Sequence, residues 1–244
     1  RLADQVQRHG SPVRALREAT EPAALGGVAA FVCYSWRDDP TAQLAQLHAW
    51  AAEQPTAADG RPPKVWIDRC CLNTDDAELG IACIPIHVSG CQRFLVLAGP
   101  TWASRLWCAL ELFTFLRMRG DSSEYKGRID LRLAVPSDGS DVARAEQSCD
   151  AILGSFSAFN ASKAQCAQNN DRQRILAAIE TAFGSTQPFS KLVRSILRDK
   201  VATNCLSQTA NSNAGSNEAG QDLERSYLRE APAAHRLNVS DVDV

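Results

Sequence analysis

Apolar residues in this chain form short continuous runs that alternate with stretches of helical spacing. The run at residues 28–34 is apolar throughout, which is typical of a strand buried on both faces of a parallel sheet. Further strands are predicted at residues 64–68, 92–98 and 129–135. Helical spacing of apolar positions predicts helices at residues 41–53, 76–89, 102–118, 162–183 and 189–201. This alternation predicts an α/β fold, an open parallel sheet of four or five strands with helices on both faces.

The two ends of the chain differ in composition from the middle. Residues 1–27 are polar and close with a Gly-Gly pair, so we expect a leader or a loose helix there. From residue 203 to residue 220 the chain is mostly Asn, Ser, Gly, Ala and Gln, which leaves almost nothing to bury. The sequence therefore predicts one domain over residues 28–201, with extra helices at its C-terminal end, and a disordered tail over residues 202–244.

Charge and cysteine content narrow the class of protein. The formal net charge is −2 and no basic stripe is present, which argues against a nucleic-acid partner. Apolar runs such as residues 94–98 are too short to cross a bilayer, so no membrane partner is predicted for this segment. The nine cysteines are an odd number and mostly lie in apolar runs, where a thiol packs as a small hydrophobe. These features predict a reduced, cytoplasmic protein.

Several catalytic and cofactor motifs are missing from the sequence. No glycine-rich phosphate loop of the GxxxxGK[ST] or GxGxxG type follows a predicted strand. The four histidines are scattered without an HExxH pattern, and the cysteines form no CxxC pair. The sequence therefore predicts no metal site, no bound cofactor and no histidine-based triad.

Polar and aromatic residues follow three of the predicted strands, at residues 35–38, 68–69 and 99–102. Ligands of open parallel sheets bind outside the carboxyl ends of the strands. The three segments together offer aromatic surface, guanidinium and carboxylate groups, a combination that suits a nucleotide-like ligand.

One carboxylate lies within the most apolar predicted helix. Between residues 106 and 116 only Thr114 and Glu111 are polar, so the helix is apolar on all sides and should be buried. A carboxylate there must find a partner, shift its pKa or face a cleft. Trp107 stands four positions before Glu111 and shares its face.

Simpler roles compete with a functional one for these residues. An ion pair between the glutamate and an arginine is the more common arrangement, and the sequence offers three partners, Arg37, Arg69 and Arg105. Trp107 is more often a core residue than a ligand platform, and Cys108 is expected to pack. Residue type and spacing leave both interpretations of Glu111 open.

Four segments taken together resemble the TIR (Toll/interleukin-1 receptor) domain family. Residues 31–38, 65–68 and 93–97 resemble its first three strands, and residues 104–112 are similar to its Ser-x-x-Trp-Cys-x-x-Glu-Leu helix. The resemblance covers roughly residues 28–135, about half of the chain. It implies a flavodoxin-like parallel sheet of about five strands with helices on both faces.

The resemblance also implies a role in signal transduction, innate immunity included. In the TIR enzymes a helix glutamate cleaves the nicotinamide–ribose bond of NAD, and Glu111 occupies its place. By the same resemblance Trp107 lines the pocket, Trp36 borders the ligand cleft and Arg37 helps to bind phosphate. NAD would be the substrate rather than a cofactor.

Two functions follow as expectations. The first is an NAD glycohydrolase, activated by self-association. The alternative is a non-catalytic adaptor that recruits other TIR domains through homotypic contacts. A receiver-type domain is disfavoured because no acidic pair closes the first strand in the way that such a domain needs.

Overall fold

Four parallel strands form one sheet in the order β2-β1-β3-β4. The structure is a computed structural model and describes residues 20–56, 60–72, 82–118, 127–135 and 142–212. The strands are β1 (Val28–Tyr34), β2 (Val65–Ile67), β3 (Cys91–Ala98) and β4 (Ile129–Leu133). This order is that of flavodoxin-like sheets. The α/β fold class is thereby confirmed, with four strands in the described part of the chain where the resemblance implies about five.

The central strand β1 is buried on both faces. Phe31 pairs in register with Trp66 of β2 and with Phe94 of β3, and its ring stacks on both. Phe31 belongs to the larger apolar cluster, whereas its neighbours Ala30 and Val32 belong to a second cluster on the opposite face. Because successive side chains point to opposite faces, a strand with two covered faces must be apolar at every position.

Helices cover both faces of the sheet. Helix α1 (Pro40–Glu53) begins with Asp39 as its cap, whose side chain accepts from the Thr41 amide at 2.9 Å, and it places Trp50 in the smaller cluster. The larger cluster is built from most of the other helices. Those helices are α2 (Asp68–Cys71), α3 (Ile84–Gly90), α4 (Leu106–Met118), α5 (Val142–Ser157), α6 (Asn169–Phe183) and α7 (Thr186–Ser212), with short 3₁₀ turns at Trp102–Ser104 and Ala161–Lys163.

The C-terminal third differs from the sequence prediction. Helix α5 lies in a stretch for which no element was predicted, and α6 begins at Asn169 rather than at residue 162. Its end at Gly184, which adopts a left-handed conformation with φ of 73°, is as predicted. Helix α7 continues to Ser212, into the segment predicted as a tail, and no Pro or Gly interrupts residues 202–212.

Some predictions concern residues outside the described ranges. These are the leader over residues 1–19, the first part of the helix predicted at 76–89, and the tail from residue 213 onward. Residues 20–27 are described and are not helical; they lead into β1 with the Gly26 amide bonded to the Gly90 carbonyl at 2.8 Å. Among the helices described, none combines the length and apolarity needed to cross a membrane.

A buried carboxylate joins the loops that follow β1 and β3. One oxygen of Asp38 accepts from the backbone amide and the hydroxyl of Thr101, at 2.9 and 2.8 Å, and Ser35 contacts the same hydroxyl at 2.7 Å. The other oxygen lies against Gly99, where a Cβ atom would stand 2.5 Å from it. Burial raises the pKa of Asp38, and the hydrogen bonds from Thr101 oppose this shift. Glycine is therefore required at position 99 by close approach.

We expect the substitution Gly99→Ala to lower the free energy of unfolding by about 1–3 kcal/mol, because the methyl group must displace the Asp38 carboxylate. Gly154→Ala is the matched control: Gly154 lies in α5 with open space around it, so alanine should raise stability by about 0.5–1 kcal/mol. Urea unfolding followed by circular dichroism measures both. Equal stability of the Gly99→Ala variant and the wild type would contradict the packing described for Asp38.

Candidate functional site

The loops after β1, β2 and β3 meet at the carboxyl edge of the sheet, as the sequence predicts. Trp36 follows β1 and its indole N–H donates to the carboxylate of Asp68, directly after β2, at 2.7 Å. The loop after β1 also reaches the loop after β3 through Thr101. The loop after β1 therefore connects both neighbouring strand ends and forms the centre of the site.

Trp36 presents an aromatic ring at this edge. Its side chain is 49% exposed. The guanidinium carbon of Arg69 lies 4.6 Å from the ring centroid, a cation–π contact. Arg37, the next residue along the chain, is exposed, and its side chain makes no hydrogen bond or ion pair within the described ranges. Arg37 thus offers an uncommitted positive charge beside the ring.

Asp68 is the polar centre of the loop contacts. Besides the indole of Trp36, its carboxylate accepts the backbone amide of Arg69 at 2.6 Å. The phenol of Tyr34, at the end of β1, interacts with the same carboxylate; burial, followed by the charge of Asp68, raises the pKa of Tyr34. The sequence marked Asp68 as a strand-end acid, but its contact with Trp36 joins residues 32 positions apart and could not be read from local pattern.

Glu111 lies in α4 and is buried, with 8% of its surface exposed. The ion pair considered from the sequence is not formed: within the described ranges, none of Arg37, Arg69 and Arg105 pairs with its carboxylate. Burial raises the pKa of Glu111 to about 8; a hydrogen bond with Cys33 and the charge of Arg105 oppose the rise, and the charge of Asp68 adds to it. At neutral pH this carboxyl group is therefore mostly protonated in the free protein.

Two buried thiols fix the helix that carries Glu111 against the central strand. Cys33 of β1 donates to the carbonyl of Cys108 at 3.8 Å, and Cys108 of α4 donates to the carbonyl of Tyr34 at 3.5 Å. Burial raises the pKa of Cys33 well above its ordinary value, so this thiol stays neutral and is not a nucleophile. The packing role predicted for Cys108 agrees with these contacts.

Trp107 stands one helical turn before Glu111 and is half-buried against the larger apolar cluster. No ring stacking involves it among the described residues. Part of its side chain stays exposed, so the core role and the pocket-lining role considered for Trp107 both remain predictions. Of the four residues singled out from the sequence, the structure thus places Trp36 and Arg37 at the surface of the site and Glu111 beneath it.

A separate cavity of about 200 Å³ lies beyond the end of β3. It is lined by residues that include Pro100, Ser104, Ser155, Asn160 and Lys163, and by none of the four residues singled out above. The described part of the chain contains no group of three His, Cys, Asp or Glu side chains arranged to hold a metal ion.

Comparison with known proteins does not assign a family to the chain. No protein-family model matches it, no curated protein matches it, and no solved structure matches its fold.

The raised pKa of Glu111 leads to a prediction about how stability changes with pH. Because its pKa is raised in the folded state, the stabilisation associated with protonated Glu111 is complete below its ordinary pKa of 4.5 and is lost as the pH rises toward about 8. Relative to Glu111→Gln, the wild type should lose a few kcal/mol of unfolding free energy between pH 5 and pH 8. Urea titrations at pH 5, 6.5 and 8 measure this difference.

Glu180→Gln is the matched control for this prediction. Glu180 is exposed on α6, so its replacement should change stability equally at all three pH values. A constant difference between the wild type and Glu111→Gln across the series would show that Glu111 does not titrate as described.

Proposed function

We propose that the protein is a TIR-type NAD glycohydrolase acting in cytoplasmic signalling, with Glu111 as its catalytic residue. The observation that carries the proposal is a buried carboxyl group without an arginine partner in the described structure, on a helix that packs against the central strand. Burying such a group is unfavourable for the fold. A functional role accounts for its retention, and the resemblance of residues 104–112 to the TIR helix supplies the reaction.

The chemistry suits a carboxylate in a site of low polarity. Departure of nicotinamide breaks the bond between its ring nitrogen and the ribose, and the bonding electron pair leaves with the neutral nicotinamide. The ribose carbon then carries positive charge, which an adjacent carboxylate stabilises most strongly where water is excluded. Addition of water to that carbon and loss of a proton give ADP-ribose. No metal or histidine is required for these steps.

The raised pKa of Glu111 is compatible with this role because the substrate is itself positively charged. The nicotinamide ring of bound NAD carries one positive charge, and a cation near a carboxyl group lowers its pKa. Substrate binding would therefore favour the ionised form that the reaction needs. Trp36 and Arg37 would bind the ring and phosphate portions of the dinucleotide at the rim of the site.

One observation favours the alternative function, a TIR adaptor without catalysis. Only 8% of the Glu111 surface is exposed, and the cavity at the end of β3 does not include this residue. In that case the sheet edge and its loops would bind other TIR domains or a second copy of this chain. A common experiment separates the two functions.

Purified protein is incubated with NAD, in dilute solution and under crowding that promotes self-association, and nicotinamide is quantified by chromatography. We expect release by the wild type and by Glu180→Gln, and a loss of at least about 100-fold in Glu111→Gln, because the amide cannot stabilise the developing cation. Absence of nicotinamide in every condition, with self-association of Glu111→Gln equal to that of the wild type, would leave the adaptor function in place of the enzyme.

The pH dependence tests the protonation state of the same residue. The ionised carboxylate is the active form and the pKa of Glu111 in the free protein is about 8. We therefore expect kcat/KM to rise as the pH increases from 6 and to level off above about 8. A profile that is flat over this range would assign the catalytic step to a different group.

A further inference from the structure

We propose that Asp68 is a positioning residue, which holds the indole of Trp36 as a fixed platform on which a neutral planar ring of the ligand stacks. The inference rests on the proposed function for the identity of the ligand, a dinucleotide. Its structural basis is separate from Glu111 and lies entirely in the loops after β1 and β2.

Three contacts define the orientation of the indole. Its N–H donates to Oδ2 of Asp68 at 2.7 Å, and Oδ1 of the same carboxylate accepts the Arg69 amide at 2.6 Å. The second contact ties the carboxylate to the backbone of α2. The guanidinium of Arg69 lies 4.6 Å from the indole centroid. A ring bonded at its edge and covered by a cation cannot rotate freely about its side-chain bonds.

The exposure of Trp36 indicates that this fixed ring has an open surface. An indole usually lies in the core or against other side chains, and the four other tryptophans of the chain are buried or half-buried. Trp36 is 49% exposed although the Arg69 side chain lies over it. Holding the ring in advance lowers the entropy cost that a stacking ligand would otherwise meet.

The cation over the indole determines which kind of ring fits the platform. The electron-rich faces of an indole attract positive charge, and the guanidinium of Arg69 already makes this cation–π contact with Trp36. A second cation would meet repulsion from Arg69, whereas a neutral ring stacks without it. Within a dinucleotide such as NAD, the platform therefore favours the neutral adenine over the positively charged nicotinamide ring.

The test uses ADP-ribose as the probe, because it carries adenine without nicotinamide and cannot undergo the cleavage reaction. Affinity is measured by calorimetry, and the ring itself is observed by fluorine NMR of protein labelled with 5-fluorotryptophan, with the Trp36 resonance identified by its loss in Trp36→Phe. We expect ADP-ribose to shift the Trp36 resonance and to bind wild type and Glu180→Gln equally well.

Substitutions at Asp68 separate positioning from simple contact. Asp68→Ala and Trp36→Ala should each weaken ADP-ribose binding by about tenfold, and the double variant should be no weaker than either, because both remove the same platform. Asp68→Asn keeps an acceptor for the indole N–H and should stay within about threefold of the wild type. If Asp68→Ala does not fold, Trp36→Phe replaces it, since it keeps a ring but loses the bond to Asp68, and should also weaken binding.

Asp130→Ala is the matched control for Asp68→Ala. Asp130 also accepts an indole N–H, that of Trp50 at 2.9 Å, but Trp50 is fully buried in the smaller cluster. This variant can lose stability yet should keep the wild-type affinity for ADP-ribose. Nicotinamide mononucleotide, which has the cationic ring and no adenine, should leave the Trp36 resonance nearly unchanged.

The outcomes distinguish this proposal from the proposed enzyme activity. Wild-type affinity in Asp68→Ala, additive losses in the double variant, no binding of ADP-ribose to the wild type, or a larger shift with nicotinamide mononucleotide would each overturn the platform. Binding that depends on Asp68 and Trp36 in a protein that never releases nicotinamide would support the platform and reject the glycohydrolase.

Discussion

Burial of the central strand β1 on both faces is the constraint on which the other elements depend. Phe31 stacks on Trp66 and Phe94 of the neighbouring strands, while Ala30 and Val32 pack on the opposite face with Trp50 of α1. Neither face can be left to water, so helices must cover both. The polar residues that follow β1 and β2 therefore lie at the ends of the strands, where Trp36, Asp38 and Asp68 are found.

Local sequence patterns predicted the strands and most of the helices well. Contacts between residues far apart in the sequence could not be predicted from such patterns. The bounds of β1 and the helix end at Gly184 agree with the sequence because each depends on local signals, an unbroken apolar run and a residue that tolerates positive φ. Helix α5 escaped prediction because polar and small residues fill most of its first ten positions, and its large apolar side chains cluster from Ile152 onward. The burial of Glu111 followed from its apolar neighbours. The absence of an arginine partner for it among the described residues, and the bond between Trp36 and Asp68, depend on how separate loops approach one another.

The site contains two carboxyl groups whose environments differ in kind. Asp68 receives two hydrogen bonds from nitrogen donors, the indole of Trp36 and the backbone amide of Arg69. Glu111 lies beneath it among apolar residues, and burial raises its pKa to about 8. The charge of Asp68 itself contributes to that rise. The outer carboxylate holds the indole of Trp36, and the inner carboxyl group has a raised pKa because the fold buries it.

The shortness of β2 has a consequence for how the site is maintained. This strand pairs with β1 through only three residues and has a single neighbour in the described sheet. Such a segment opens at a lower free energy than the centre of the sheet, and Asp68 follows it immediately. Each opening of β2 would move Asp68 away from Trp36 and break the hydrogen bond between them without unfolding the domain. Ligand binding and the pairing of β2 with β1 are therefore linked. A ligand bound at the loops stabilises the paired strand, and a surface packed against the edge strand stabilises the loops that bind the ligand.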